Sequence, residues 1–357
     1  MSHLLIMAAG TGGHIFPGLA IADTMRARGW KISWLGTTHG MEADIVPRHG
    51  VDFDAINFSG LRGKGWLHSA LGVVKLMNSF VQCFVIMRRR KPDVVLGMGG
   101  YVTVPGGLMA KLCGVPLALV NADAALLMSN KALLPFAKKI LFGFATKNSE
   151  SDKRIQVTGN PVRREISALP VPKVRYAEHT GPLTILVLGG SLGAQILNQT
   201  IPAALALIAS DQRPRVVHQS GRQHIAALQQ AYQQQRVQAE LVDFIDDMAT
   251  RYAHADLVIC RAGAITVSEL CAAGVASILV PFIASTTSHQ RDNAEWMAQI
   301  GAAFHQPQKE LDIEALASLI KTITRERCLQ MAEAAYANGK REANESIAQI
   351  IEKLGSK

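Results

Sequence analysis

Short, unbroken apolar runs punctuate the chain, and between them apolar positions recur every three or four residues. In the first half the runs fall at 4–8, 31–35, 51–56, 93–96, 117–120 and 139–142. An unbroken run of strand length predicts a strand buried on both faces, and the helical periods between runs predict crossovers. GNPV at 159–162 reads as the exit from this first domain. The segment 169–182 holds three prolines and little periodicity, so it predicts a loop. The pattern then restarts with runs at 183–188, 216–219, 239–242, 256–260, 277–280 and 302–304, and a helical tail follows from Glu310. The chain therefore reads as α/β, with two doubly wound parallel-sheet domains facing a cleft. Their expected bounds are 1–162 and 163–340, with a C-terminal helix at about 341–357 able to pack back on the first.

The turns after the strands carry the candidate chemistry. RAGAITVSELCAAG at 261–274 opens a helix at the carboxyl end of a strand, where open α/β sheets bind ligands. Gly263 permits close backbone approach, and the first-turn N–H groups suit a phosphate. Glu269 lies further along, either accepting from both hydroxyls of a ribose or standing as a solvated surface charge. AGTGGHIFP at 9–17 is a glycine-rich turn whose backbone N–H groups suit a sugar or phosphate, with Pro17 read as first-turn proline. Its spacing is neither GxGxxG nor a P-loop. His14 in that turn reads either as a general base or as a loop cap. Gly97–Tyr101 (GMGGY) and Gly189-Gly190-Ser191 are further glycine turns. Asp246 and Asp247 read as helix caps, and Gln290 and Asn293 as polar groups for sugar hydroxyls.

The stretch 60–91 differs. An apolar stretch at 67–87 is interrupted by Lys75, Asn78 and Gln82 and ends in Arg88-Arg89-Arg90-Lys91. That predicts a long amphipathic helix rather than a membrane span. Its basic ends, with Arg62 and Lys64, suit anionic lipid headgroups. Charge placement sharpens this. Residues 1–160 hold 18 Lys+Arg against 9 Asp+Glu, whereas the remainder is balanced at 19 against 19. The whole excess lies in the first half, which therefore faces something anionic. The basic residues carry no clustered aromatics, which argues against nucleic acid. Five scattered cysteines without CxxC spacing predict reduced thiols and no metal site. The N-terminus lacks a signal-peptide layout.

Taken jointly, GTGGHIFP at 10–17, MEADIVP at 41–47, SGLRGKG at 59–65, KPDVVLGMGGYV at 91–102, GNPVR at 159–163, GGSLGA at 189–194, FIDDM at 244–248 and the 261–274 stretch resemble the MurG family. These are the glycosyltransferases that add N-acetylglucosamine to lipid I in peptidoglycan synthesis. The resemblance implies a GT-B fold of two Rossmann-like domains and an inverting transfer from UDP-N-acetylglucosamine (UDP-GlcNAc) without metal or cofactor. It also implies peripheral attachment to the cytoplasmic face of the cell inner membrane, with anionic lipids and other cell-wall and division proteins as partners. Carried over by position, Thr11, Gly12 and Gly13 face the donor's sugar and diphosphate, and Arg163 and Ser191 hold the donor. Ile245 packs at uracil. Ala264, Ile265, Thr266, Val267, Ser268 and Glu269 form the helix opening at the diphosphate and ribose. Gln290 reads the sugar hydroxyls, and Gly99, Gly100 and Tyr101 lie near the acceptor's pyrophosphate.

One departure stands out. Where the family shows His-Glu-Gln-Asn, this chain has Val120-Asn121-Ala122-Asp123. Asp123 takes the place of the donor-contacting Asn, and no carboxylate is available at position 121. The acceptor-side base is then His14 or Asp123, and the near-neutral pKa of imidazole favours His14. The competing reading is a UDP-sugar epimerase-like or UDP-sugar-binding protein on the same scaffold, for which SGLRGKG and the basic helix would be superfluous.

Overall fold

A computed structural model describes residues 1–58, 66–145, 152–190, 193–221, 223–282 and 289–356, with backbone alone over 66–74. The chain divides into two compact units, Met1–Arg163 with Arg341–Lys357, and Arg164–Lys340.

The first unit runs β1 (His3–Ala8), α1 (Gly12–Ala27), β2 (Lys31–Thr37), α2 (Glu42–Arg48), β3 (Asp52–Ile56), α3 (Trp66–Arg90), β4 (Val94–Gly99), α4 (Thr103–Leu112), β5 (Leu117–Asn121), α5 (Met128–Leu133), β6 (Lys139–Phe142) and β7 (Ile155–Val157). Its seven strands are parallel, in the order β3-β2-β1-β4-β5-β6-β7. β1 shows why the apolar runs are unbroken. Leu4, Ile6 and Ala8 face α1, whereas Leu5 and Met7 face the core beneath α3 and α4, so both faces are buried. The chain's last helix packs on α1 and places Ile347, Ala348 and Ile351 in the same core as Leu4 and Ile6. Arg28 pairs with Glu352 at 2.5 Å and with Glu345. Asn344 exchanges two hydrogen bonds with the backbone of Val162.

The second unit runs α6 (Arg164–Ser167), α7 (Pro172–Ala177), β8 (Thr184–Leu188), α8 (Gln195–Ala206), β9 (Arg215–Gln219), α9 (Ile225–Gln235), β10 (Glu240–Val242), α10 (Met248–His254), β11 (Leu257–Cys260), α11 (Ala264–Ala273), β12 (Ala276–Leu279), α12 (His289–Gln299), β13 (Ala303–His305), α13 (Ile313–Thr322) and α14 (Arg325–Ala337). The helix that returns to the first unit is α15 (Ala343–Gly355). The second sheet is also all parallel, in the order β10-β9-β8-β11-β12-β13.

Several local expectations change. α1 begins at Gly12, so Pro17 lies inside the helix and not in its first turn. β4 continues through Gly99, which shortens the expected glycine turn to the residues between Gly99 and Thr103. Asp247 occupies the N-cap of α10 but makes no side-chain cap bond, pointing instead toward Arg251 at 3.6 Å. Arg89 and Arg90 bind Asp54, and Arg90 also binds Asp52 at 2.6 Å, so two of the expected lipid-facing cations are tied to β3. Arg62 and Lys64 lie outside the described residues.

The expected loop at 169–182 contains α7, which starts on Pro172, a proline suited to a first helical position. The short helix is fixed by Arg175, which is 4% exposed. Its guanidinium donates to the carbonyls of Pro170 (2.9 Å), Tyr252 (3.0 Å), Gly274 (2.7 Å) and Ala273. Ala273 and Gly274 end α11, so a buried cation sits at the negative end of that helix. Removing it leaves buried carbonyls without their donor. Arg175→Met is expected to destabilise the second unit by roughly 3 kcal/mol. Urea unfolding followed by circular dichroism measures it, and a change within error would mean that Arg175 does not anchor α11.

Candidate active site

Each sheet reverses its direction of winding once, between β1 and β4 in the first unit and between β8 and β11 in the second. The crevice at the carboxyl ends of such strands is where backbone groups are left for a ligand. The 11–14 and 99–101 turns lie at the first of these points and the 264–269 turn at the second, whereas Ile245 follows the edge strand β10 and Gln290 opens α12.

In the first unit, Thr11 is the N-cap of α1, and Gly12, Gly13 and His14 form its first turn. The turn is pressed against the end of β4. A Cβ on Gly100 would lie 2.3 Å from the Ala9 carbonyl oxygen, and one on Gly99 would lie 2.7 Å from the His14 ring. Both glycines also have positive φ, 120° and 89°, which side-chain-bearing residues avoid. Gly99 and Gly100 are thus required where His14 packs. His14 Nδ1 lies 3.2 Å from the Ala9 carbonyl. A carbonyl only accepts, so Nδ1 carries the proton and Nε2 is left with its lone pair. Burial holds His14 below the ordinary imidazole range, against the opposing pull of the Ala9 carbonyl, Asp123 and Glu42. The ring is therefore neutral near pH 7. Arg163 lies over the Phe16 ring at 5.2 Å, one turn further along α1. Tyr101 is half exposed.

The 121–127 segment explains the departure at the end of β5. Asn121 is fully buried and turned inward. Its amide donates to the carbonyls of Asp123 (2.6 Å) and Ala125 (2.9 Å) and accepts from the Leu127 N–H (2.9 Å) and from Asn130 (3.0 Å). The residue is the core of a loop, and the loop carries Asp123 toward His14.

Glu42 was quoted in a motif but given no role by the sequence. It is fully buried at the start of α2. Its carboxylate accepts from the Gly10 N–H (3.1 Å), the Thr37 N–H (3.0 Å) and the Thr37 hydroxyl (2.6 Å). The carboxylate is packed so tightly against Gly40 that a Cβ there would sit 2.2 Å from its oxygens.

In the second unit, α11 begins after Gly263, which has no side chain to cap the helix, so among the described residues its first N–H groups carry no N-cap side chain. Asn293, expected to read sugar hydroxyls, is buried and donates to the Ala262 carbonyl at 3.0 Å, holding the turn instead. Ala264 and Val267 are buried, and Ile265, Thr266 and Ser268 are half buried. The Ser268 hydroxyl donates to the Ala264 carbonyl at 2.9 Å. Glu269 is no solvated charge. It is 7% exposed and accepts from the Tyr252 hydroxyl at 3.3 Å. Gln290 accepts from the Phe282 N–H at 2.9 Å, and the Arg261 guanidinium stacks on the Phe282 ring at 5.4 Å. Ile245 is buried ahead of α10. Gly190 and Gly193 both have positive φ, and Ser191 between them lies outside the described residues. Among the described residues no group of three or more His, Cys, Asp or Glu side chains is placed to hold a metal ion.

Two parallel Rossmann-like sheets, each with a glycine turn at its switch point, make the GT-B fold. The chain belongs to glycosyltransferase family 28: the family's N-terminal domain matches residues 4–142 and its C-terminal domain residues 184–351. A protein of Herminiimonas arsenicoxydans is 66% identical over 99% of both chains. It is called UDP-N-acetylglucosamine--N-acetylmuramyl-(pentapeptide) pyrophosphoryl-undecaprenol N-acetylglucosamine transferase. A protein of the same name from Janthinobacterium sp. strain Marseille is 63% identical over 99% of both. The crystal structure of Acinetobacter baumannii MurG superposes with a TM-score of 0.78 at 33% identity, covering 99% of this chain and 100% of that one.

If Glu269 reads the ribose, Glu269→Ala weakens UDP binding by roughly 1.5–3 kcal/mol, the range for hydrogen bonds to a charged group. Titration calorimetry checks this, and unchanged affinity removes Glu269 from the nucleotide site.

Proposed function

We propose that the chain transfers N-acetylglucosamine from UDP-GlcNAc to the C4 hydroxyl of the N-acetylmuramyl sugar in lipid I, giving lipid II and UDP, with inversion at the anomeric carbon. The observation that carries the mechanism is His14, whose ring is held by Ala9 and Gly99 with Nε2 as its acceptor. In one displacement the C4 oxygen bonds to the anomeric carbon, the bond from that carbon to the UDP oxygen breaks, and the hydroxyl proton passes to Nε2. The departing diphosphate is stabilised by the N-terminus of α11 and by Arg163. Thr11, Gly12, Gly13, Asp123, Ser191, Ile245, Gln290 and the 264–269 turn complete the donor site, with Glu269 on the ribose. Gly99, Gly100 and Tyr101 meet the acceptor's pyrophosphate.

With UDP-GlcNAc and lipid I, the wild type is expected to yield a lipid heavier by one N-acetylhexosamine. His14→Ala should lower kcat by about 10²–10⁴-fold with little change in UDP affinity. Asp123→Asn should retain most activity. The reverse pattern would place the proton acceptor on the 121–127 loop.

The acceptor is lipid-linked, and attachment to an anionic membrane surface belongs to the same proposal. No described helix is long and apolar enough to cross a membrane. α3 instead exposes Met77, Val81, Phe84 and Val85 on one stripe, with Arg88 over the Phe84 ring at 6.0 Å. An apolar stripe edged by a cation suits the headgroup boundary. Replacing these four apolar residues by Ser should abolish co-sedimentation with phosphatidylglycerol vesicles, and wild-type binding should weaken as salt rises. Equal wild-type binding to neutral and anionic vesicles would contradict the anionic part.

A further inference from the structure

We propose that Glu42 is a positioning residue for His14: its carboxylate fixes the turn that carries the imidazole through Gly10 and brings a negative charge to that turn. The inference rests on His14 being the base. Glu42 has no direct bond to His14. It acts through Gly10, whose N–H it accepts at 3.1 Å. Gly10 has φ 105°, a conformation that a single hydrogen bond to a rigid acceptor can select. Ala9, next to it, holds His14 Nδ1, so the bond to Gly10 is two links from the imidazole. The acceptor itself is rigid because Thr37, at the end of β2, donates to Glu42 Oε1 from both its N–H and its hydroxyl.

The choice of an acid at this point calls for a reason. A fully buried carboxylate is expensive to desolvate, but a glutamine has one acceptor oxygen and could not accept from Gly10 on one side and from Thr37 on the other. The carboxylate supplies both acceptors, and with them a charge. The charged groups felt at His14 are Asp123, from the loop after β5, and Glu42, from α2. The turn after β4 contributes glycines and the half-exposed Tyr101, and Arg163 lies over Phe16 on the next turn of α1. Both carboxylates favour the imidazolium that forms when the base takes its proton, opposing the burial that lowers His14. Glu42 thereby lets a ring buried enough to stay neutral still accept a proton in the transition state.

The test is the pH profile of kcat for Glu42→Gln, measured with the intact enzyme on UDP-GlcNAc and lipid I. Loss of a group that raises the imidazole's proton affinity should move the acid limb to lower pH. Disturbance of the turn should reduce kcat by up to about 100-fold, with KM for UDP-GlcNAc little changed. Thr37→Val keeps the carboxylate charge and loosens its seat, so kcat should fall while the acid limb stays near its wild-type position. This second variant keeps the idea testable should Glu42→Gln fail to fold: an unchanged kcat in Thr37→Val would overturn it. An acid limb unmoved in a folded Glu42→Gln would equally overturn it and reduce Glu42 to a structural tie. His14→Ala separates the two readings. If its residual activity keeps the wild-type acid limb, the base lies elsewhere and the premise fails. If His14→Ala loses the limb and Glu42→Gln leaves it in place, only the proposal about Glu42 fails.

Discussion

The inner strands of a parallel sheet buried on both faces satisfy their backbone in the ladder and leave groups free only at their ends, and that constraint organises this molecule. The strands consume their hydrogen bonds in the ladder, and the helices cover the faces. Unused N–H groups remain at the carboxyl ends, above all where neighbouring strands lead their helices to opposite sides. Both sheets meet this condition once. At each point the sequence supplies glycines, because only a backbone without Cβ can approach its neighbour as closely as Gly100 approaches Ala9.

Glycine turns are permissive, so something else has to fix them. Here the fixing is done by buried polar side chains bonded to the backbone. In the first unit Glu42 holds Gly10, and Asn121 gathers the 121–127 loop. In the second, Asn293 holds the turn before α11, and Arg175 closes the far end of the same helix. A buried polar group with all its bonds made rigidifies its surroundings, whereas one left partly satisfied would destabilise them. The order of the two switch-point turns thus rests on buried side chains from other elements.

The strands and the glycine turns were legible because their signals are local. An unbroken apolar run announces a strand with two buried faces, and β1 realises it in full. The fixing residues were not legible because their partners are distant. Glu42 meets Gly10 across 32 positions, and Arg175 meets Gly274 across 99. The run Arg88-Arg89-Arg90 hides its partners for the same reason. As a string it is a basic patch, but Asp54, 36 positions before Arg90, claims two of its members. Glu269 could be read either way from its position, and burial beside Tyr252 decides that it is not a solvated charge. α7 was hidden by its prolines, one of which starts the helix.

With the proposed base His14 in the first unit and the proposed nucleotide-holding turn 264–269 in the second, sugar should leave UDP only when an acceptor hydroxyl is there to receive it. UDP release from UDP-GlcNAc, followed by a coupled assay with and without a soluble lipid I analogue, tests that claim most directly. Release that depends on the acceptor and matches it mole for mole is the predicted result. Equal release without acceptor, or conversion of the donor to another UDP-sugar with no UDP released, would contradict it.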